Sequence, residues 1–306
     1  MICTCTLNPS LDYYLEFSNK IEKGKTNRSD LEYYEAGGKG INISIVLNNL
    51  QIPTRAYGFL GGFTKEFYVN LLQEYSYIEP NFTYVEGHTR INVKLSDGKQ
   101  ITDLNATGPY INETDMKKLS DKVGRLGEGD YFCLAGICPS YLEDDVIRML
   151  EDCIKNGVKV ALDTNPRIMS QMLVHKPFLV KFTAEELGNE VKKSLTYEEI
   201  VDAAKTTVGA GAQNVLILEG KDKAILASSE GCYECGLLHQ EKTVNTVGTG
   251  DSLTAGFLMN YLRSSDVVDS FKFGASCASA TAYSKGLATR EKIDSFYETT
   301  EVKKID

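Results

Sequence analysis

Short apolar runs alternate with helical patterns through the middle of the chain, and this alternation restricts the fold more than any other feature. Between the first two runs, Leu142, Val146 and Met149 recur at helical spacing. Strand and helix in alternation predict an α/β fold, in which a mostly parallel central sheet has helices on both faces. The runs have the length and composition of strands covered on both faces: YFCLA (131–135), VKVALD (158–163), FLVKF (178–182) and VLILE (215–219).

Two pairs of segments break this pattern, because their apolar residues alternate with a period of two. Such segments predict antiparallel strands, and the turn sequence SDGK (96–99) separates the second pair. We expect a small antiparallel β lid, formed by residues of about 11–36 and 88–106, within one domain of residues 1–306. The pairs are LDYYLEF (11–17) with RSDLEYYEA (28–36), and RINVKL (90–95) with KQITDL (99–104).

The formal net charge of -9 argues against a general nucleic-acid binder. No apolar run is long enough for a membrane span, and the N-terminal MICTCTLNPSLD lacks the features of a signal peptide. Several of the 8 cysteines lie in apolar runs, which indicates buried thiols and a cytoplasmic protein. CYEC (232–235) is weak evidence for zinc, because no second pair accompanies it.

The stretch VNTVGTGDSLTAGF (Val244–Phe257) places a glycine-rich turn and Asp251 immediately before a helical pattern. Amides at a helix start suit a phosphate, so we interpret the turn as a phosphate site with Asp251 doing chemistry beside it. The alternative, of equal weight on local spacing alone, is that Asp251 only caps the helix. Neither a dinucleotide fingerprint nor a Walker A loop fits the sequence.

A second glycine-rich helix start, AGGKGIN, spans Ala36–Asn42. Adjacent glycines let a ligand approach the backbone closely, although a flexible turn is the simpler interpretation. Asp12 follows the first predicted strand, ICTCTL, where a polar side chain either faces a crevice or merely shapes a turn. Two such helix starts in one α/β chain favour a site for two ligands.

Five motifs together resemble the PfkB carbohydrate kinases, a family with the ribokinase-like fold. The resemblance covers nearly the whole chain and implies ATP-dependent phosphorylation of a phosphosugar. The points closest to family members that act on fructose 1-phosphate are NRS (27–29), GGKGIN and TRINVKL. Tagatose 6-phosphate or another phosphosugar is the alternative acceptor, and a non-catalytic phosphosugar sensor is a third interpretation. The motifs are TLNPSLDYYLEF, GGKGINIS, GFLGGFT, TRINVKL and VGTGDSLTAGF.

The resemblance also implies roles for individual residues. Asp251 would be the catalytic base, and Glu186 would act on Mg²⁺ through water. The anion hole would be formed by Gly248, Thr249 and Gly250. The sugar hydroxyls would be held by Asp12, Gly37, Gly38 and Asn42, with Lys39 near the transferred phosphate. The phosphate already on the sugar would be bound by Arg90, with Lys25 or Arg28 from the lid and support from Asn92. The ATP side would include Lys181, Thr183, Glu186 and Gly220.

The chain departs from the family pattern at several positions, among them the nucleotide-facing turn LEGKDK (218–223), where Leu218, Glu219 and Lys223 stand at altered places. KFTAEE has Phe182 and Thr183 where the family has proline and asparagine, and GICP has Ile137 where a serine often helps bind the sugar phosphate. Thr249 replaces an alanine in the turn before Asp251. The resemblance further implies a homodimer formed through the lid, with a phosphosugar and ATP as the small-molecule partners.

Overall fold

The computed structural model describes residues 1–98, 100–220, 223–236 and 247–305, and over these the predicted alternation of strands and helices is confirmed. The strands are β1 (Ile2–Thr6), β2 (Ser10–Glu16), β3 (Leu31–Gly37), β4 (Thr54–Gly61), β5 (Ile78–Pro80), β6 (Thr83–Val85), β7 (Arg90–Ser96), β8 (Ile101–Leu104), β9 (Tyr131–Ala135), β10 (Lys159–Asp163), β11 (Leu179–Thr183), β12 (Asn214–Glu219), β13 (Lys223–Ser228), β14 (Gly231–Gly236) and β15 (Val302–Lys304). The helices are α1 (Lys39–Asn49), α2 (Thr64–Leu72), α3 (Glu113–Val123), α4 (Glu143–Lys155), α5 (Pro166–Met172), α6 (Ala184–Val191), α7 (Tyr197–Gly209), α8 (Thr249–Ser264), α9 (Val267–Ala282) and α10 (Arg290–Tyr297), with 3₁₀ turns at Ser140–Leu142 and Leu173–His175.

The central sheet has the strand order β15-β14-β13-β12-β11-β10-β9-β1-β4-β5, and β6 pairs with β4. The strands from β12 to β5 run parallel. Beyond β12 the pairing becomes antiparallel, an edge that the sequence pattern did not predict. Cys232 and Cys235 lie three residues apart on β14 and pack into cores on opposite faces of this sheet, so they are too divergent to share a zinc ion.

Helices cover both faces of the central sheet, which confirms the predicted layers. One core packs under α3, α4, α5 and α7, and the other packs under α1, α8, α9 and α10. Helices α8 and α9 approach so closely at Gly256 that a Cβ there would lie 2.8 Å from the Cα of Gly274. This close packing holds α8 against α9. Within the described part of the chain, no helix has the length and apolar character needed to span a bilayer.

The second sheet has the order β3-β2-β7-β8 and is separate from the first, as predicted for the lid. It consists of two antiparallel hairpins joined by the parallel pairing of β2 and β7. The turn of the second hairpin includes Lys99, which lies outside the described residues. In register, Asp12 stands between Glu35 and Asn92, and Ser10 stands between Gly37 and Arg90. Ser10, Gly37 and Arg90 therefore lie together at the end of the second sheet where β2 begins. The assignment of residues 1–306 to one domain with this sheet as a lid remains a prediction.

Candidate active site

The candidate site lies where parallel strands of the central sheet end and the second sheet begins. Asp163 is the last residue of β10, and Lys181 lies near the end of β11. Helices α1 and α8 start at the same place, after Gly38 and Gly248. Because the carboxyl ends of parallel strands share one edge, residues distant in sequence meet here.

The turn before α8 positions Asp251. Gly248 is the N-cap residue with a left-handed φ of 77°, and among the described residues no side chain caps this helix start. A side chain at this position would be strained in that conformation, and a Cβ would lie 2.5 Å from Leu287. The capping interpretation of Asp251 is wrong, because Gly248 is the N-cap residue and, within the described ranges, the Asp251 side chain makes no capping hydrogen bond. The positive end of a helix at such a turn suits an anion.

The carboxylate of Asp251 is turned towards α1. Asn42 Nδ2 donates a hydrogen bond to Asp251 Oδ2 at 2.7 Å, and Asp251 is only 5% exposed. Burial and the charge of Asp163 raise the pKa of Asp251 to about 6, against the opposing effects of Lys181, Asn42 and Lys39. A carboxylate with this pKa is ionised at neutral pH and still basic enough to accept a proton.

A buried ion cluster lies beside Asp251, and its central member was missed by the sequence analysis. Asp163 Oδ1 accepts from Lys39 Nζ at 2.8 Å, and Asp163 Oδ2 accepts from Lys181 Nζ at 3.0 Å. Lys39 Nζ also lies 3.4 Å from Glu186 Oε1. The available signal was that Asp163 ends the apolar run VKVALD, at the edge of the sheet where ligands bind in such folds. Lys181, expected on the ATP side, is held inside this cluster.

The capping box of α6 explains Thr183. Its side chain accepts from Glu186 N at 3.1 Å, and Glu186 Oε2 accepts from Thr183 N at 2.7 Å. Threonine at this position therefore serves the helix start as an N-cap residue. Gly220 follows β12 with a left-handed φ of 58° and borders residues that are outside the described ranges.

Asp12 and Asn92 meet on the polar face of the second sheet. Asn92 Nδ2 donates to Asp12 Oδ1 at 3.0 Å, as expected for neighbours in register. Asp12, Gly37 and Asn42 line one cavity of about 720 Å³ together with residues of the second sheet and Leu287. Gly37 is needed there, because a Cβ would lie 2.6 Å from Asp12 Oδ2. Three of the four expected sugar-hydroxyl residues thus face a common space, and Gly38 is not among the described residues that line it.

Arg90 is half-buried at the start of β7, and Arg90 Nε donates to the carbonyl of Asn8 at 3.2 Å. Burial lowers the pKa of Arg90, although nearby Asp12 opposes this. Gly38, with φ of 134°, approaches the side chain of Thr6 too closely for a Cβ, which would lie 2.7 Å from Thr6 Cγ2. Ile137 is 80% exposed and supplies no hydroxyl where a serine was expected.

No hydrogen bond or ion pair joins Lys25 or Arg28 to Arg90 in the part of the chain that the structure describes, so their shared role stays a prediction. Phe17 N donates to Ser96 O, so the exposed segment that follows β2 leaves the sheet at the end of β7, whereas Arg90 is at its start. Lys25 pairs instead with Glu22. At about 3.3 Å per residue, the length of β7 places the start of this segment, at Phe17, about 20 Å from Arg90 along the sheet.

Comparison with known proteins decides what kind of protein carries this geometry. The sequence model of the pfkB family of carbohydrate kinases matches residues 7–293. The chain belongs to this family. Membership makes it a phosphotransferase that acts on a sugar hydroxyl, with ATP as co-substrate.

Individual known proteins resemble this chain over nearly their whole length. The 1-phosphofructokinase of Bacillus subtilis is 36% identical over 307 residues, covering 100% of both chains. The D-tagatose-1-phosphate kinase of Bacillus licheniformis is 33% identical, with 96% of each chain covered. Phosphofructokinase-2 of Escherichia coli, solved in complex with substrates and products, superposes with a TM-score of 0.90 at 24% identity, covering 97% of this chain and 98% of that one. This last likeness shows that the fold is shared with a pfkB kinase structure.

Proposed function

We propose that this chain transfers the γ-phosphoryl group of ATP to the 6-hydroxyl of fructose 1-phosphate, giving fructose 1,6-bisphosphate and ADP. One observation carries the proposal. The buried carboxylate of Asp251, in the first turn of α8, is oriented at 2.7 Å by Asn42, which lines the same cavity as Asp12. The relatives named 1-phosphofructokinase at 36% and 34% identity favour this acceptor.

The chemistry follows from the positions of these groups. Asp251 takes the proton of the attacking hydroxyl, which makes the oxygen a better nucleophile. The turn of Gly248, Thr249 and Gly250 receives the oxygens of the transferring phosphoryl group, because negative charge is stabilised at a helix start. Lys39 adds a positive charge beside this turn.

The acceptor is held by the second sheet and by α1. Asp12, Gly37 and Asn42 bind its hydroxyls from the common cavity, and Gly38 contributes from the start of α1. Arg90 binds the phosphate that the sugar already carries, and Asn92 orients Asp12 next to it. A guanidinium that is partly removed from water forms strong charge-assisted bonds with phosphate.

Glu186 fits a magnesium ion reached through water. Its carboxylate is 43% exposed, and carboxylate and water oxygens are the ligands that Mg²⁺ prefers. Both of its oxygens already accept hydrogen bonds, from Thr183 N and Lys39 Nζ, which favours an indirect contact over a direct one. When bound, the ion neutralises charge on the phosphates of ATP. Thr183 and Gly220 border the ATP side.

D-Tagatose 1-phosphate is the second candidate acceptor, since a relative named for it is 33% identical over 96% of this chain. The tagatose 6-phosphate alternative remains an untested prediction. The test is ADP release with ATP, Mg²⁺ and each of these three phosphosugars, with fructose 6-phosphate as the control. We expect the highest kcat/KM with fructose 1-phosphate. Binding of a phosphosugar without ADP release would instead support the sensor hypothesis.

A homodimer through the lid is supported by the outer face of the second sheet. Tyr13 and Tyr34 stack there at 4.3 Å, and Ile91 and Leu104 are exposed. Exposed apolar faces of this kind mark interaction surfaces, and a second copy would also bring a Lys25 and Arg28 segment from outside the chain. Light scattering should give a dimer for the wild type and a monomer for Ile91→Glu. Leu262→Glu, on the exposed side of α8, should remain dimeric.

We also place the protein in the cytoplasm. All 8 cysteines are buried, as expected for thiols in a reducing compartment.

A further inference from the structure

Asp163 connects two lysines that come from different elements. Each carboxylate oxygen accepts from one ammonium group, Oδ1 from Lys39 at 2.8 Å and Oδ2 from Lys181 at 3.0 Å. The side chains of Asp163 and Lys181 are both 3% exposed. A buried carboxylate that accepts from two ammonium groups holds both groups in place. At an exposed site, water would compete for these hydrogen bonds and the ammonium groups would be less well held.

Both ammonium groups lie close to the residues proposed for phosphoryl transfer, which are Asp251 and the turn at the start of α8. A Cβ on Gly250 would lie 2.9 Å from Lys181 Nζ, so this ammonium touches the turn at the start of α8. Lys39 immediately follows Gly38 and begins α1, the helix that carries Asn42. The charges of Lys39 and Lys181 both act on Asp251.

Lysine side chains are long and flexible, and two ammonium groups close together repel each other. Without a shared counter-ion, the groups of Lys39 and Lys181 would separate or be displaced towards water. We propose that Asp163 is a positioning residue, which holds Lys39 and Lys181 beside the helix start so that both meet the migrating phosphoryl group. This inference rests on the proposed function, because it assigns a role within the same transfer step.

The charges around Asp251 give a readout that does not depend on turnover. Asp163 faces Asp251 from β10, Lys181 from β11, and Lys39 and Asn42 from α1. Asp163 raises the pKa of Asp251, whereas both lysines and Asn42 lower it. Asp163→Asn removes one charge and also releases the lysines, which change the pKa of Asp251 in opposite directions. The positioning role therefore predicts that Lys39→Met raises the pKa of Asp251 in the wild-type protein but not in an Asp163→Asn background.

The first measurement is a carboxyl ¹³C NMR titration of the full-length protein labelled at aspartate, with Asp251→Asn used to assign the signal. We expect the midpoint of Asp251 to rise in Lys39→Met, and to show no further rise when Lys39→Met is added to Asp163→Asn. The control is Asp115→Asn, because Asp115 is also buried and ion-paired, with Lys118 at 2.8 Å, but lies on α3. It should leave the midpoint of Asp251 unchanged. This titration remains interpretable even if fructose 1-phosphate is not the acceptor.

The second measurement is a double-mutant cycle in kcat, on whichever phosphosugar the wild type phosphorylates. We expect Asp163→Asn to lower kcat about 10- to 100-fold with little change in the KM of the sugar, since misplaced groups lose transition-state contacts. The double variant with Lys39→Met should be no slower than Asp163→Asn alone, because the first change has already displaced Lys39. Effects that multiply, or a kcat restored by raised Mg²⁺, would overturn the positioning role. If Asp163→Asn fails to fold, an unmoved midpoint in Lys39→Met, whose side chain is 35% exposed, would also overturn it.

Discussion

The amide of Asn42 and the carboxylate of Asp251 meet at 2.7 Å although 209 positions separate them in the chain. One residue belongs to the first helix and the other to the eighth, and each follows a glycine-rich turn. The contact joins the two motifs into one site. It also orients the carboxylate and lowers its pKa, against the larger opposing effects of burial and Asp163.

Asp251→Asn should lower kcat by about 10² to 10⁴, the usual contribution of a general base. The amide has the shape of the carboxylate and accepts the bond from Asn42, so the fold and the binding of both substrates should persist. Single-turnover kinetics and calorimetric binding of ATP check the two parts. Turnover close to the wild-type rate would show that another group removes the proton.

The same substitution should make the protein more stable at high pH. The pKa of Asp251 rises from 3.8 to about 6 on folding, so the ionised form disfavours the native state above pH 6. A shift of this size corresponds to about 3 kcal/mol of unfolding free energy. We therefore expect Asp251→Asn to unfold at a higher denaturant concentration at pH 8. The difference should shrink as the pH falls below 6 and vanish near pH 4, which urea titrations at several pH values would measure.

Activity should fall as Asp251 becomes protonated, with the limb of kcat/KM near pH 6. The phosphate of the substrate ionises near pH 6 too, so a comparison between variants is more informative than one profile. Asn42→Leu removes a bond to the charged form and should move the limb to higher pH. Because the substrate is the same, the displacement belongs to the enzyme. Superimposable profiles would mean that Asn42 has no effect on the base.

Arg90→Ala should raise the KM for the phosphosugar about 10- to 100-fold and change kcat much less, since a charge-assisted bond to the bound phosphate is lost. Initial-rate kinetics at saturating ATP provide the measurement. Arg55→Ala is the matched control, because Arg55 pairs with Glu79 at 2.8 Å near the start of β4. An equal KM in both variants would remove Arg90 from the phosphate site.

Glu186→Gln should raise the Mg²⁺ concentration for half-maximal activity about tenfold, as is usual for an outer-sphere contact. Glutamine preserves the capping box with Thr183, so the free energy of unfolding should change by less than about 1 kcal/mol. Glu185→Gln, one residue earlier and exposed, should leave the Mg²⁺ requirement unaltered. A Glu186→Gln enzyme with a normal Mg²⁺ curve would contradict the assignment.

The sequence was sufficient for the parts of the fold that depend on periodicity. The apolar run YFCLA (131–135) forms the buried strand β9, and the alternating run RINVKL (90–95) forms most of β7 in the second sheet. It was insufficient where contacts join distant segments. Asp163 has no local pattern that marks it, because its role depends on Lys39 and Lys181 arriving from other elements. The position of Lys25 likewise depends on how β2 and β7 pair, which no local spacing encodes.

The capping box of α6 has a consequence for how this enzyme changes over time. Glu186 closes the box and is also the residue that we assign to the metal. Selection that demanded only a well-formed helix would already tend to keep an acid or its amide at this position. Loss of catalytic pressure should therefore erode Asp251 sooner than Glu186, and inactive descendants of such a kinase would retain a remnant of the magnesium site.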